Sequence, residues 1–244
     1  MGTGIRKRTP VAALLGVMLT LVLAGCEERV DSMVLRLLRT EDEPVEYEDA
    51  SDSTIEELEA QVEEFRETVE QHFRAMRNLR GAHRALGMRY LEAGMYGAAL
   101  EQFEAAADID SGNATIYYYA GVAAGNHAGG ALDEDERMER LDRAERAYLR
   151  ALELRSRYPS AAYGLAILYA YELEQFSDAR EYIDKVFEWR TQDLRARAVS
   201  AYIYASQGRT NEALREYDRI IENTSDDEFR EEAIRMRRQL EERR

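Results

Sequence analysis

The sequence is poor in the residues on which several kinds of fold and site depend. Of its 244 residues, one is cysteine, three are proline and three are histidine. A single cysteine cannot form a disulfide within the chain. His72, His83 and His127 lack the i, i+4 spacing of a helical metal site, and no phosphate-binding glycine loop or nucleophile elbow is present. We therefore expect no metal, no cofactor and no enzymatic activity.

Basic residues are also scarce. The chain has 33 lysines and arginines against 48 aspartates and glutamates, which gives a net charge of −15 at pH 7. Binding to nucleic acid requires a basic surface to neutralise phosphates, so this composition argues against a nucleic-acid partner. The acidic balance also disfavours close contact with anionic lipid headgroups. A charged partner is expected to present basic residues.

Residues 1–25 have the pattern of an export signal. A basic head, an uncharged apolar run and a group of small residues follow one another: Arg6–Arg8, Val11–Val22 and Leu23–Gly25. The run is too short to span a bilayer, which takes about 20 residues. The segment Leu23-Ala24-Gly25-Cys26 resembles the lipobox of bacterial lipoproteins, in which the cysteine is alkylated with diacylglycerol and the leader is cut before it. The resemblance implies a membrane anchor on Cys26; an ordinary signal peptide with an incidental cysteine is the alternative.

Residues 26–52 are predicted to form an acidic linker. After the cysteine, this segment holds ten acidic and three basic residues, and it shows little periodicity. Such a composition buries too little apolar surface to fold by itself. The short apolar run Met33–Arg39 is expected to dock on the body or to lie at the membrane interface.

Residues 53–79 are predicted to form an amphipathic helix. Ser53 and Glu56 have the spacing of a capping box. Apolar residues recur every three or four positions on one face, namely Ile55, Leu58, Val62, Phe65, Val69, Phe73, Met76 and Leu79. Gly81 is the only expected interruption. The stripe needs a partner surface: we expect it to pack on the repeat body, and pairing with a second copy as a homodimer is the alternative.

Four later segments repeat one spacing over residues 80–225. A small residue occupies the same place in each first helix: Gly87, Gly121, Ala166 and Ala201. An alanine opens each second helix, namely Ala99, Ala144, Ala179 and Ala213, at steps of 45, 35 and 34 residues. Large aromatic residues stand between them: Tyr90, Phe103, Tyr148, Tyr169, Tyr204 and Tyr217.

This pattern resembles the tetratricopeptide repeat, a helix–turn–helix unit of 34 residues. The resemblance implies an all-α fold, a right-handed helical solenoid of about four repeats. The small residues would lie where the two helices of a unit cross, and the aromatic residues would fill the space between units. Gly94 and Gly208 suit turns that need a positive φ.

Three departures from the regular repeat are expected to alter it locally. The second unit has about eleven extra residues around 126–135, where Asp133 and Glu136 are expected to cap an extended helix. The third unit has one extra residue in its turn. Residues 226–244 are predicted to form a capping helix, starting at Ser225 and Glu228.

In the repeat family, the first helix of each unit lines a concave groove. Carried over by position, the resemblance predicts a partner groove formed by Arg84, Met88, Tyr118, Val122, Asn126, Tyr163, Ile167, Tyr171, Arg195 and Tyr202. About half of the tyrosines are expected to be buried between helices instead. The family subtype that clamps a peptide carboxylate with lysine and asparagine does not match, because Met88 and Val122 occupy those positions.

Together these features predict a protein-binding scaffold, anchored to the inner or outer membrane of a bacterial cell envelope through Cys26 and facing the periplasm. The expected partners are other envelope proteins. Two alternatives remain. One is a transporter-associated repeat lipoprotein that binds a small hydrophobic ligand or a solute-binding protein, and the other is a surface adhesin.

Overall fold

A computed structural model describes residues 54–242, and the chain divides into two compact units, Met1–Glu67 and Thr68–Arg244. The predicted leader, Cys26, the linker and Ser53 lie outside the described residues. The described range contains nine α-helices: α1 (Ile55–Glu92), α2 (Tyr96–Ile109), α3 (Ala114–Ala128), α4 (Glu134–Leu154), α5 (Pro159–Ile167), α6 (Phe176–Trp189), α7 (Leu194–Ser206), α8 (Thr210–Asn223) and α9 (Asp227–Glu242).

Helix α1 is continuous over 38 residues and passes through Gly81 without a break. Its N-terminus is capped one residue later than predicted, by Thr54 and Glu57. The Thr54 amide donates to Glu57 Oε2 at 2.8 Å, and the Glu57 amide donates to Thr54 Oγ1 at 3.3 Å. Both pairs have the same Ser/Thr-x-x-Glu spacing, so the sequence does not distinguish them.

Within the second compact unit, the apolar stripe of α1 does not pack against the repeats as preferred in the prediction, because Val69, Phe73, Met76 and Leu79 are exposed there. All eight of its side chains from Ile55 to Leu79 are exposed, with Phe65 at 68% and Phe73 at 65%. The physical reason is length, because α1 has 38 residues while α2, the second helix of the first repeat, has 14. Contacts of α1 with α2 involve its C-terminal part, where Arg80 pairs with Asp110 and His83 Nδ1 lies 2.9 Å from Gln102 Oε1.

The repeats pair as predicted: the end of α1 with α2, α3 with α4, α5 with α6, and α7 with α8. Small residues allow the close approach. A Cβ added at Gly87 would lie 2.9 Å from the Phe103 ring, and one at Gly121 would lie 2.7 Å from the Tyr148 ring. Ala99, Ala144, Ala179 and Ala213 are all fully buried on the facing helices. The predicted fold class, an all-α helical repeat, is confirmed.

The two irregular units absorb their extra residues in different ways. In the second unit, α4 reaches 21 residues and begins at Asp133, whose carboxylate accepts from the Glu136 amide at 2.8 Å as predicted. In the third unit, α5 continues as a π-helical turn, Leu168–Glu172. A π turn accommodates one extra residue in a helix. The prediction that the extra residue of the third unit lies in its turn is therefore wrong, because the π turn takes this residue up within the helix.

The turn between the two helices needs a left-handed residue in three of the units. Gly94 and Gly208 have φ values of 70° and 72°, as predicted. Glu174 stands at the equivalent place in the third unit, five residues before the alanine of the second helix, and has a φ of 52°. A side chain at such a φ is strained by about 1–2 kcal/mol.

Helix α9 covers the last repeat. It is capped by Asp226, whose carboxylate accepts from the Phe229 amide at 3.1 Å, rather than by Ser225. Its Ala233 is buried with Ala201, Tyr217 and Ile220, and Arg237 donates to Asp218 of α8 at 2.6 Å. The helix therefore closes the core at the C-terminal end of the repeats, as a terminal solenoid helix must.

Candidate protein-binding face

Aromatic side chains gather on the first helices of the second, third and fourth repeats. We call this surface the tyrosine face and define it by Tyr118 of α3, Tyr158 and Tyr163 at the start of α5, Tyr171 of the π turn, and Arg195 and Tyr202 of α7. Equivalent positions of successive repeats meet there because each first helix stacks beside the next.

Tyr118 is the centre of the first part of this face. Its ring centroid lies 5.4 Å from that of Tyr158 and 5.0 Å from that of Tyr119. It also lies 6.2 Å from Tyr148, which is buried between the repeats. The face is thus attached to the core through aromatic contacts, which favour tilted or offset rings at such separations.

Tyr171 and Tyr202 form the second part. Their rings stack with centroids 4.2 Å apart and planes 20° apart. Tyr171 is 44% exposed and Tyr202 is half-buried. The ring centroids of Phe176 and Tyr202 lie 6.4 Å apart. The π turn supports this pair, because it supplies Tyr171 and two buried neighbours, Tyr169 and Ala170.

Arg195 lies between the two parts and supplies a positive charge. Its guanidinium carbon is 6.0 Å from the centroid of the Tyr163 ring, close enough for a cation–π contact. The nearby Asp193 carboxylate caps α7, accepting from the amides of Arg195 and Ala196 at 3.1 Å each. Arg195 itself is exposed, so its charge is available to a ligand on the face.

Burial raises the pKa of the phenols of the face. Removal from water raises the pKa of Tyr118, with a smaller contribution from Tyr158, and burial likewise raises the pKa of Tyr163 and Tyr171 above the ordinary value of about 10. At neutral pH these hydroxyls therefore remain protonated, and each can both donate and accept a hydrogen bond.

A pocket of about 430 Å³ continues the face toward the C-terminus. It lies between α7, α8 and α9 and is lined by Tyr202, Ala205, Ser206, Thr210, Tyr217, Met236, Gln239 and Leu240. Its lining is mostly apolar with a few hydroxyl and amide groups. Such a pocket suits an apolar side chain of a bound segment.

The structure brings together five of the ten predicted groove residues, Tyr118, Tyr163, Tyr171, Arg195 and Tyr202. Three others, Met88, Val122 and Ile167, are half-buried and pack against the hydrophobic core, so they support the face more than they form it. Arg84 is exposed on α1. Asn126 is exposed, and its side-chain amide donates to the Val122 carbonyl of its own helix at 2.8 Å.

Sequence reasoning missed Tyr158. It precedes Pro159 in the segment that connects α4 to α5, where no helical periodicity assigns a residue to a face. In the fold it lies between Tyr118 and Arg155, whose guanidinium carbon is 4.6 Å from the Tyr158 ring centroid. Pro159 is the sequence signal that could have assigned Tyr158 to the face, because a proline at the first helical position fixes where α5 begins.

Residues 54–242 contain no group of three or more histidine, aspartate and glutamate side chains arranged to hold a metal ion. In the same range, no helix has the length and apolar character needed to cross a membrane.

Comparison with known proteins shows what these repeats are similar to. A family model for the tetratricopeptide repeat matches residues 131–186 and 167–228, so this part of the chain is similar to tetratricopeptide repeats. A TPR repeat-containing protein of Borreliella burgdorferi is 24% identical over 151 residues, which cover 62% of this chain and 66% of that protein. The match thus spans just under two thirds of the length of this relative.

Solved structures show the same fold. TTC0263, a TPR protein of Thermus thermophilus, superimposes with a TM-score of 0.57 at 21% identity, over 64% of this chain and 79% of that one. YrrB, described as a TPR protein with an unusual peptide-binding site, superimposes with a TM-score of 0.51 at 20% identity, over 78% of this chain and 95% of that one. At these identities the likeness establishes the fold.

Proposed function

We propose that this chain is a membrane-anchored scaffold of the bacterial cell envelope, which binds segments of partner proteins on its tyrosine face. The observation that carries the proposal is the continuous set of aromatic rings and one exposed arginine across three successive repeats. Tyrosine offers a large apolar area and a hydrogen-bonding tip with few rotatable bonds, so it is well suited to contact surfaces.

The chemistry of the face indicates what it binds. The aromatic rings of the tyrosine face and the pocket beside Tyr202 favour apolar or aromatic side chains of a bound segment. The protonated phenols can form hydrogen bonds with the extended backbone of that segment. Arg195 adds a local positive charge within a chain of net charge −15, so a bound segment is expected to combine one acidic group with basic flanks. The peptide-binding site of YrrB, a protein of the same fold, supports a peptide ligand.

The envelope location rests on the sequence of the leader. Leu23-Ala24-Gly25-Cys26 follows an apolar run in the arrangement of a lipobox, and diacylglycerol on Cys26 would supply the anchor. Loss of the three basic leader residues takes the net charge from −15 to −18, which would keep the body away from anionic headgroups. The partner is then another envelope protein.

The scaffold proposal is tested by recovering partners with the full chain extracted from membranes. Tyr163→Ala/Arg195→Glu is expected to reduce partner recovery by at least about tenfold, because the two substitutions remove an aromatic contact and reverse the charge of the face. A matched control is Tyr117→Ala/Arg150→Glu, a second tyrosine–arginine pair with similar geometry (5.9 Å) that lies outside the face.

The control variant should recover partners as the unaltered chain does. Equal recovery by both variants, with both folded by circular dichroism, would show that the tyrosine face is not the binding surface. Retention of only a small apolar molecule, detected by native mass spectrometry, would favour the transporter-associated alternative instead.

A further inference from the structure

Another pocket lies between the third and fourth repeats, on the side of α7 that faces away from the tyrosine face. It measures about 330 Å³ and is open to solvent between α6, α7 and α8. We call it the arginine pocket and define it by Arg180, Phe187, Arg197, Tyr204, Glu216 and Arg219. Successive residues of a helix turn by about 100°, so Arg197 and Tyr204 lie on the opposite side of α7 from Arg195 and Tyr202.

Two aromatic rings orient the guanidiniums of the arginine pocket. The guanidinium carbon of Arg180 lies 4.6 Å from the centroid of the Tyr204 ring, and that of Arg197 lies 5.4 Å from the centroid of the Phe187 ring. Cation–π contacts at such distances hold a guanidinium against the ring. These groups are therefore positioned before a ligand arrives, which lowers the entropy that binding costs.

Positive charges outnumber negative charges in the pocket. Both oxygens of Glu216 are engaged, because Arg197 donates to Oε2 at 2.9 Å and Arg219 donates to Oε1 at 2.7 Å. Arg180 donates from Nε to Asp184 Oδ1 at 2.9 Å. Within the described part of the chain, the three guanidiniums thus share two carboxylates as ion-pair partners. One positive charge and several N–H donors remain for a ligand.

The packing of the repeats does not by itself require arginine at these places. Leu100 stands in the first repeat where Arg180 stands in the third, one residue after the alanine of the second helix. Tyr117 stands in the second repeat where Arg197 stands in the fourth, four residues before the small residue of the first helix. Leu100 and Tyr117 line a pocket of about 390 Å³ at the equivalent junction, between the first and second repeats. The repeat frame therefore does not account for Arg180 and Arg197.

The arginines of that equivalent pocket are balanced one for one by carboxylates. Three arginines line it, and each forms an ion pair with a different acidic residue: Arg143 with Glu104, Arg146 with Asp142, and Arg150 with Glu153. The two junctions thus differ in charge although they occupy the same place in the repeat. An acidic ligand is expected to select the arginine pocket.

We propose that the arginine pocket binds acidic side chains of a peptide segment, as a second contact site besides the tyrosine face. A guanidinium presents paired N–H groups that match the two oxygens of a carboxylate. Because the pocket is open to solvent, it suits a side chain of a longer segment better than a free small molecule, which an enclosed site would bury. The inference depends neither on the tyrosine face nor on the lipid anchor.

Isothermal titration calorimetry of the full chain with an acetylated tetraglutamate peptide tests this proposal. Arg180→Leu/Arg219→Gln introduces the leucine of the equivalent place and removes two positive charges. It is expected to weaken binding by at least about tenfold, because hydrogen bonds between charged groups are lost. Arg146→Gln/Arg150→Gln is the matched control, since it removes the same charge from the equivalent pocket, and it should bind the peptide as the unaltered chain does.

Circular dichroism checks that both variants are folded. If the double variant unfolds, Arg219→Gln is compared with Arg150→Gln, because both residues are exposed, and the same direction of effect is expected. An equal loss of affinity in the variant and its control would show a response to net charge alone and overturn the proposal. Absence of binding to tetraglutamate, or equally tight binding of a tetraglutamine peptide, would overturn it too. Inorganic phosphate that binds as tightly as the peptide would show a site for free anions instead of a peptide site.

Discussion

Tyr148 illustrates how single residues join consecutive repeats. Its ring lies between two glycines of different units, since a Cβ at Gly121 would come within 2.7 Å of it and one at Gly164 within 2.6 Å. Burial of the ring also raises the pKa of Tyr148 and keeps its hydroxyl neutral. Because Tyr118 packs on the same ring, the spacing of the repeats and the position of the tyrosine face depend on one side chain.

Gly121→Ala is expected to destabilise the fold by about 1–3 kcal/mol, because the new methyl group would overlap the buried Tyr148 ring. Gly125→Ala, one turn later in α3, is the matched control. Its nearest neighbour would be the Ala144 Cβ at 3.9 Å, an ordinary contact, so alanine should stabilise the helix by about 0.5–1 kcal/mol. Urea unfolding of both variants measures the difference, and similar stabilities would contradict the packing described for Tyr148.

At the scale of helices, the sequence predicted regular units well and irregular ones less well. The glycine and alanine spacing placed the helix crossings because small residues there have one structural role. The extra residue of the third unit could be accommodated in a loop or in a helix, and spacing does not distinguish these. The structure uses a π turn, which brings Tyr171 against Tyr202.

The turn after this π segment yields a prediction at the same scale. Glu174→Gly is expected to stabilise the fold by about 1 kcal/mol, because glycine adopts the observed φ of 52° without strain. Gly208→Ala should destabilise by a similar amount, since Gly208 has a φ of 72° and open space around it. Thermal unfolding of both variants measures these opposite changes in stability. Destabilisation by Glu174→Gly would indicate that the glutamate side chain stabilises the fold by more than the strained φ destabilises it.

At the scale of the whole molecule, sequence periodicity identified surfaces better than it identified their partners. The stripe on α1 was correctly located, yet its apolar pattern is the same whether it is covered by the repeats or by a second copy. The groove prediction found the tyrosines that lie on first helices. It missed Tyr158, because that residue gains its place only when α4 and α5 come together.

The most direct measurement of the central claim is site-specific photo-cross-linking in intact cells. A photoreactive residue at Tyr171, on the face, should form adducts with other envelope proteins in the membrane fraction. The same residue at Glu188, exposed on α6 away from the face, should form few. Cys26→Ser should release the protein from that fraction. Equal adducts from both positions, or membrane retention of Cys26→Ser, would contradict a lipid-anchored scaffold that binds through its tyrosine face.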